Sequence, residues 1–459
     1  MSDTTSASTP STASDSPSDR FDVVVIGCGG AAEALISALE SSECRVLVVE
    51  RHRVGGDCPF VACMPSKAML HDAAVSTRWD RAVQRRDEVV EHLDDRQHAE
   101  QVGRQGARLV RGQARVIDEH TVEVGDTTYR TEHIVLATGS SPVIPPIDGL
   151  SELGGHLWTS DNALTTDERP VRLMIIGGGP IGCELAHLFA GFDTEVHLID
   201  EADRGFPDLP AAIGEIVDDG LRSAGVRVRR GRSAVRFEQR GANVQITLDN
   251  DATIVTDRVL VATGRAANLT DLGLEHLGLD PTAPLPVDDA GRVACPGSIW
   301  AIGDVAGKGQ YTHLANHQAK VVADHLVGTG DRRYDDVVVP ACIFTRPPVM
   351  MVGPTVADVG DDAVWVDAKL SEVARWTTDS LGDGFLTIAV NRKTRCIMAA
   401  HGAGAGFDEL ASALITAIDG RVTVDRLAMS MWPFPTISEL LGLVYQRALD
   451  ALGHRPGLQ

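Results

Sequence analysis

The chain has 459 residues, 43% of them hydrophobic, and a formal net charge of -22. That length allows about three domains of ordinary size, each with its own core. The acidic balance speaks against nucleic acid or an anionic membrane surface as a partner, because such contacts are dominated by basic patches, and no apolar stretch reaches bilayer length.

Residues 1–20, MSDTTSASTPSTASDSPSDR, consist almost wholly of Ser, Thr, Asp, Ala and Pro. With no apolar run to bury, they read as a disordered tail. They also lack the basic start and apolar core of a secretory signal. A cytoplasmic protein is expected, where a close thiol pair is more often metal-binding or redox-active than a structural disulfide.

The stretch FDVVVIGCGGAAEALISALESSECRVLVVE reads as strand, glycine turn, helix and second strand ending in Glu50. Gly27, Gly29 and Ala32 fit G-x-G-x-x-G/A. The first glycine makes the tight turn, the second admits a pyrophosphate, and the small third residue lets helix pack on strand. The helix N-terminus offers an anion site, and Glu50 can accept from a ribose hydroxyl.

Next comes GGDCPFVACMPSK, with Cys58 and Cys63 five positions apart. A zinc site would need two more ligands in a second close pair, and none follows. Two buried structural cysteines are the plain alternative, and a redox pair is the third. Only five of the 42 basic residues are lysines, so Lys67 beside this pair stands out. A helix starting near Met64, with positive charge close by, would lower the pKa of a thiol there.

A second copy of the fingerprint lies in VRLMIIGGGPIGCELAHLFAGFDTEVHLID, with Gly177, Gly179, Gly182 and a closing Asp200. Two such motifs imply two dinucleotides. A carboxylate at Asp200 would repel a 2'-phosphate and accept from a free ribose hydroxyl, so NADH is favoured over NADPH; Arg204 nearby is the residue that could offset this.

With HIVLATGSSP (133–142), VLVATGRAAN (259–268), IWAIGDVAG (299–307) and VPACIFTRPPVMMVGPT (339–355) in the same order, the chain from about 21 to 450 resembles the class I pyridine nucleotide-disulfide oxidoreductases. The resemblance implies an α/β protein: two Rossmann-like domains, for FAD and NAD, and a C-terminal α+β dimerisation domain. The implied boundaries are 21–160 and 285–338 for FAD, 161–284 for NAD(H), and 339–459 for the interface. It implies a homodimer, with FAD on the first fingerprint and Asp304 at its ribitol. Thr138, Gly139 and Gly264 of the two A-T-G stretches would lie at the cofactors.

In that likeness Cys63 is the flavin-proximal thiol, Cys58 the outer interchange thiol, and Lys67 pairs with Glu184 near the flavin. The other six cysteines read as structural. His313 and His317 are four apart in YTHLANHQAK, where two ligands alone make a weak metal site. No metal is expected, and a flavin-site role for His313 stays open.

The departure from the family is MSMWPFPTISELL. Disulfide-reducing members carry a His-Pro-Thr-x-x-Glu-like motif, and this chain keeps Pro435, Thr436 and Glu439 but has Phe434 at the histidine position. Phenylalanine cannot carry the proton of the outer thiol. The expectation is electron flow from NADH through FAD and the Cys58-Cys63 pair to a small disulfide or related sulfur compound, without that histidine. The alternatives are a quinone or metal-ion reductase, and a dihydrolipoamide dehydrogenase-like complex subunit.

Overall fold

The structure, a computed structural model, describes residues 19–453. The tail expected over 1–20 lies outside this range except for its last two residues, and Arg20 already opens the first strand. The chain forms two compact units, one of residues up to 54, 96–139 and 267–333, the other of 55–95, 140–266 and 334 onward.

The first unit is built on a seven-stranded mixed sheet. Strands Arg20–Ile26, Val46–Glu50 and Arg108–Arg111 run parallel, and Thr127–Leu136 joins Arg20–Ile26 on its other side. The central runs VVVI and VLVV are buried along their length, as strands covered on both faces must be. Helix Gly30–Leu39 lays Ala32, Leu35, Ile36 and Leu39 on this sheet. The late segments return to it: strand Ile299–Ala301 adds to Thr127–Leu136, and helix Thr312–Leu326 packs against Gly30–Leu39.

The second unit repeats the pattern. Arg227–Arg230, Glu195–Asp200, Arg172–Ile176, Arg258–Val261 and Leu157–Trp158 form a parallel five-stranded sheet in that order. A three-stranded antiparallel ribbon spans residues 234–256, and its apolar side joins Met174, Ile176 and Val259 in one core. The C-terminal part is a five-stranded antiparallel sheet. Helices Phe407–Asp419 and Glu439–Leu452 bury Phe407, Leu414, Leu440 and Tyr445 against it. The cysteine segment belongs to this second unit, in a one-turn helix Asp57–Phe60 and a longer helix Cys63–Ala74. Among the described residues no helix is long and apolar enough to cross a membrane.

Candidate functional site

The two glycine turns are built alike. Gly27 sits at φ +94°, and a Cβ there would lie 2.4 Å from the Ala137 carbonyl oxygen. Gly177 sits at φ +100°, with Ala262 O at the same 2.4 Å. Any side chain would break both the turn and the strand contact. Neither following helix has a side-chain cap at its N-terminus, so its first N–H groups are available to a phosphate.

The terminal acids also match. Glu50 accepts from Cys28 N at 2.7 Å and His52 N at 2.6 Å. Asp200 accepts from Gly178 N at 2.5 Å and Ala202 N at 2.8 Å. Each carboxylate is thereby fixed at the rim of its turn with acceptor capacity left over. Ala32 is fully buried, and a Cβ on Gly182 would lie 1.9 Å from Gly177 O, so both small third positions serve close helix packing.

Other candidates gather around the first turn. The Thr138 hydroxyl donates to Asn268 O at 2.7 Å, and Asn268 Nδ2 donates to Thr138 O at 2.9 Å. Gly139, at φ +68°, accepts from Asn268 N at 3.0 Å. Asp304 stands in the turn Gly303–Ala306, where a Cβ on Gly303 would meet Ala31 Cβ at 3.2 Å. The turn is held by Gly303 N donating to Gln318 Oε1 at 2.7 Å. Gln318 is wholly buried, and its Nε2 has no acceptor among the described residues. His313 and His317 do share one helix; the exposed His313 ring stacks on Tyr311 at 5.4 Å, and His317 Nε2 lies 3.3 Å from Arg333 O.

In the second unit Gly55 and Gly56, both at positive φ, turn the chain into the cysteine segment. Cys58 and Cys63 are half-buried. Cys63 is the first residue of its helix, which no side chain caps. Lys67, one turn on, places Nζ 2.7 Å from Glu184 Oε2. The other Glu184 oxygen accepts from Phe344 N at 2.9 Å, and Lys67 Nζ lies 4.8 Å from the Phe344 ring centre. Arg346 adds a bond to Leu70 O at 2.6 Å. The segment 344–346 therefore straps the cysteine helix to the helix after the second glycine turn.

Two features were not anticipated from sequence. Asp57, beside Cys58, pairs with Arg265 at 2.6 Å, and Arg265 also holds Ser140 Oγ at 2.8 Å. Arg230 lies against Asp200. The signal for Arg265 was an arginine following an apolar strand, and Arg230 closes the polar strand RVRR; solvent exposure alone would explain both equally well. Gly264, at φ +113°, accepts from Val143 N at 3.0 Å. Arg204 donates to the carbonyls of Phe206, Pro207 and Leu209, so its guanidinium serves its own loop.

Two of the other six cysteines are chemically distinct. Burial pushes the Cys183 thiol up to about 12 and the Cys342 thiol up to about 11, so neither is a thiolate near neutral pH. At the C-terminal motif, Phe434 is 75% exposed. Glu439 accepts from Thr436 N at 2.9 Å, within its own loop.

The chain belongs to the pyridine nucleotide-disulphide oxidoreductase family. Residues 21–319 match that family and residues 339–444 match its dimerisation domain. The dihydrolipoyl dehydrogenase of Pseudomonas aeruginosa is 30% identical over 93% of this chain and 97% of its own length. The mercuric reductase of Staphylococcus aureus is 29% identical, over 92% and 81%. A solved Cu(II) complex of the HOCl-induced flavoprotein disulfide reductase RclA from Escherichia coli superimposes with a TM-score of 0.84, at 28% identity, over 93% and 99%. The protein is thus a class I, FAD-dependent pyridine nucleotide-disulfide oxidoreductase with NAD(P)H as its coenzyme. The first turn, with Glu50 fixed at its rim, an uncapped helix and the Asp304 turn alongside, fits the dinucleotide part of FAD.

Proposed function

We propose that the enzyme passes electrons from NADH to a small disulfide or related sulfur compound by way of Cys58 and Cys63. The observation that carries this reading is the Lys67–Glu184 pair at 2.7 Å, one helical turn from Cys63. Bound FAD supplies a centre that takes a hydride from a reduced nicotinamide and gives up an electron pair. Gly27, Gly29, Ala32, Glu50, Thr138, Gly139, Asp304 and His313 would hold it, and Gly177, Gly179, Gly182, Asp200 and Gly264 would hold the nicotinamide coenzyme. Lys67 adds positive charge where negative charge develops, and Glu184 keeps its ammonium in place.

The chemistry at sulfur then balances. Two electrons open the Cys58-Cys63 bond to two sulfur atoms, one proton being retained. The Cys58 thiolate attacks the substrate disulfide and releases one thiolate; Cys63 attacks Cys58, releases the second, and restores the bond. The first released thiolate takes up the retained proton, leaving Cys63 as the attacking thiolate, and the second takes a proton from water, because Phe434 has none to give. Asp200 supports NADH over NADPH, the more so since Arg204 is engaged by its own loop. A homodimer in the cytoplasm suits the dimerisation domain and a reversible thiol pair.

A second acceptor class, a thiophilic metal ion, is favoured by Phe434 itself: an ion taken by two thiolates and released reduced requires no acid at that position. Likeness to mercuric reductases and to the RclA copper complex supports it. NADH oxidation against low-molecular-weight disulfides, quinones and Cu(II) or Hg(II) separates the readings. Disulfide turnover lost in Cys58→Ser supports the first. Turnover with metal ions alone replaces it by the second, and quinone turnover undiminished in Cys58→Ser contradicts both.

A further inference from the structure

Asp200 is not a lone acid. It faces Arg230 in strand register, and Arg230 Nη1 stands 3.1 Å from Asp200 Oδ2 and 3.2 Å from Gly178 O. The same guanidinium reaches Asp218 Oδ1 at 2.8 Å. The Arg230 and Asp218 side chains are largely buried, at 7% and 9% exposure, and Asp200 is partly exposed at 19%. Burial works to lower the Arg230 pKa, but the Asp218 hydrogen bond and the Asp218 and Asp200 charges leave it raised. Arg230 is therefore a fixed cation.

Its position explains a difference between the turns. A Cβ on Gly178 would lie 2.0 Å from Arg230 Nη1, so the guanidinium fills the space that a side chain at 178 would need. The first turn has Cys28 at that point of the motif, buried at 0% exposure. There Arg111, in register with Glu50, turns Nη1 to His52 O instead.

The acceptor count follows. A carboxylate offers about four lone-pair positions. Glu50 uses two of them, for Cys28 N and His52 N, and keeps two for a ribose diol. Asp200 uses three, for Gly178 N, Ala202 N and Arg230 Nη1, and keeps one. It also has a cation in contact, which offsets its repulsion of a 2'-phosphate.

Resting on the coenzyme-site reading above, we propose that Arg230 sets coenzyme specificity: by occupying one acceptor position of Asp200 and offsetting its charge, it makes the site prefer NADH only weakly and admit NADPH as well. Arg230 is a positioning residue that acts through Asp200 and does not touch the coenzyme.

The test is calorimetric titration of the FAD-loaded enzyme with ADP-ribose and its 2'-phosphate, a readout independent of turnover. Wild type should bind ADP-ribose more tightly by about tenfold or less, the worth of one hydrogen bond. Arg230→Met combined with Asp218→Asn keeps the net charge of the cluster and frees Asp200; the ratio should rise about tenfold further. Arg230→Lys, which retains the charge, should stay near wild type. An unchanged ratio in the double variant, with an unchanged unfolding midpoint, overturns the inference. Should that variant not fold, Asp200→Asn decides. With Arg230 in place it should bind the 2'-phosphate at least as tightly as ADP-ribose, and continued preference for ADP-ribose overturns the proposal. If wild type binds neither probe, the coenzyme-site reading itself falls and takes the inference with it.

Discussion

Lys67 and Glu184, 117 positions apart, meet at 2.7 Å, and the second Glu184 oxygen holds the backbone N–H of Phe344. Glu184 is nearly buried, whereas the Lys67 side chain is 37% exposed. The ion pair itself therefore adds little stability, while loss of the carboxylate leaves the Phe344 N–H of a part-buried hydrogen bond without its acceptor. Glu184→Ala is expected to cost about 2 kcal/mol of unfolding free energy, and Glu184→Gln, which can still accept from Phe344 N, less than about 1 kcal/mol. Urea denaturation measures both. Lys67→Met should leave stability near wild type but slow reduction by NADH about 100-fold in stopped flow.

The two terminal acids should fail separately. Glu50→Ala is expected to weaken FAD retention, read as lost flavin absorbance after gel filtration. Asp200→Ala should keep its flavin and raise the KM for NADH about tenfold, the worth of a hydrogen bond to a charged group. Loss of flavin from the Asp200 variant would contradict the assignment of turns to cofactors.

Burial pushes the His187 imidazole down to about 4 from an ordinary 6.5. The sign follows from which state binds the proton. Between pH 6.5 and 4 the unfolded chain is protonated at this histidine and the folded chain is not, so acid favours unfolding. The contribution of His187 is complete above pH 6.5, falls as pH drops, and levels off below 4, with a total of about 3 kcal/mol. His197 and His401, also lowered by burial, act in the same direction. Denaturant unfolding of wild type and His187→Met at pH 7.5 and 4.5 should show a smaller acid loss in the variant.

Phe434 is 75% exposed, and under the function proposed above its ring gives the outer thiol no proton. A proton carrier is typically worth ~100-fold or more. Phe434→His is expected to speed transfer to simple disulfides without changing reduction by NADH. The gain should stay below that full value, because Glu439 bonds to Thr436 N and is not waiting to orient a ring. Separate stopped-flow measurement of the two half-reactions checks both parts.

Local pattern made the two glycine turns, their closing acids and the cysteine segment legible, because G-x-G turns, buried strands and a helix start are each written within thirty residues. The Lys67–Glu184 contact was reached only through family likeness, since nothing in either local sequence names its partner. Arg230 was illegible for a stronger reason. It ends a four-residue strand, RVRR, that reads as solvent-facing, and only the parallel register with Asp200 brings it inward. Arg265 beside Asp57 is the same case across 208 positions. Glu439 is legible as part of the retained family motif, but that its carboxylate accepts from Thr436 N, three residues back, is seen only in the structure.

Electrons from NADH are expected to arrive as a dithiol at Cys58 and Cys63. Anaerobic alkylation of the oxidised, FAD-loaded enzyme before and after addition of NADH, followed by peptide mass spectrometry, tests it most directly. The expected result is that Cys58 and Cys63 resist the reagent beforehand and both become labelled afterwards, while the buried Cys183 stays unlabelled throughout. Labelling of both cysteines before any reductant is added, or their continued protection after the flavin has been bleached by NADH, would contradict the account.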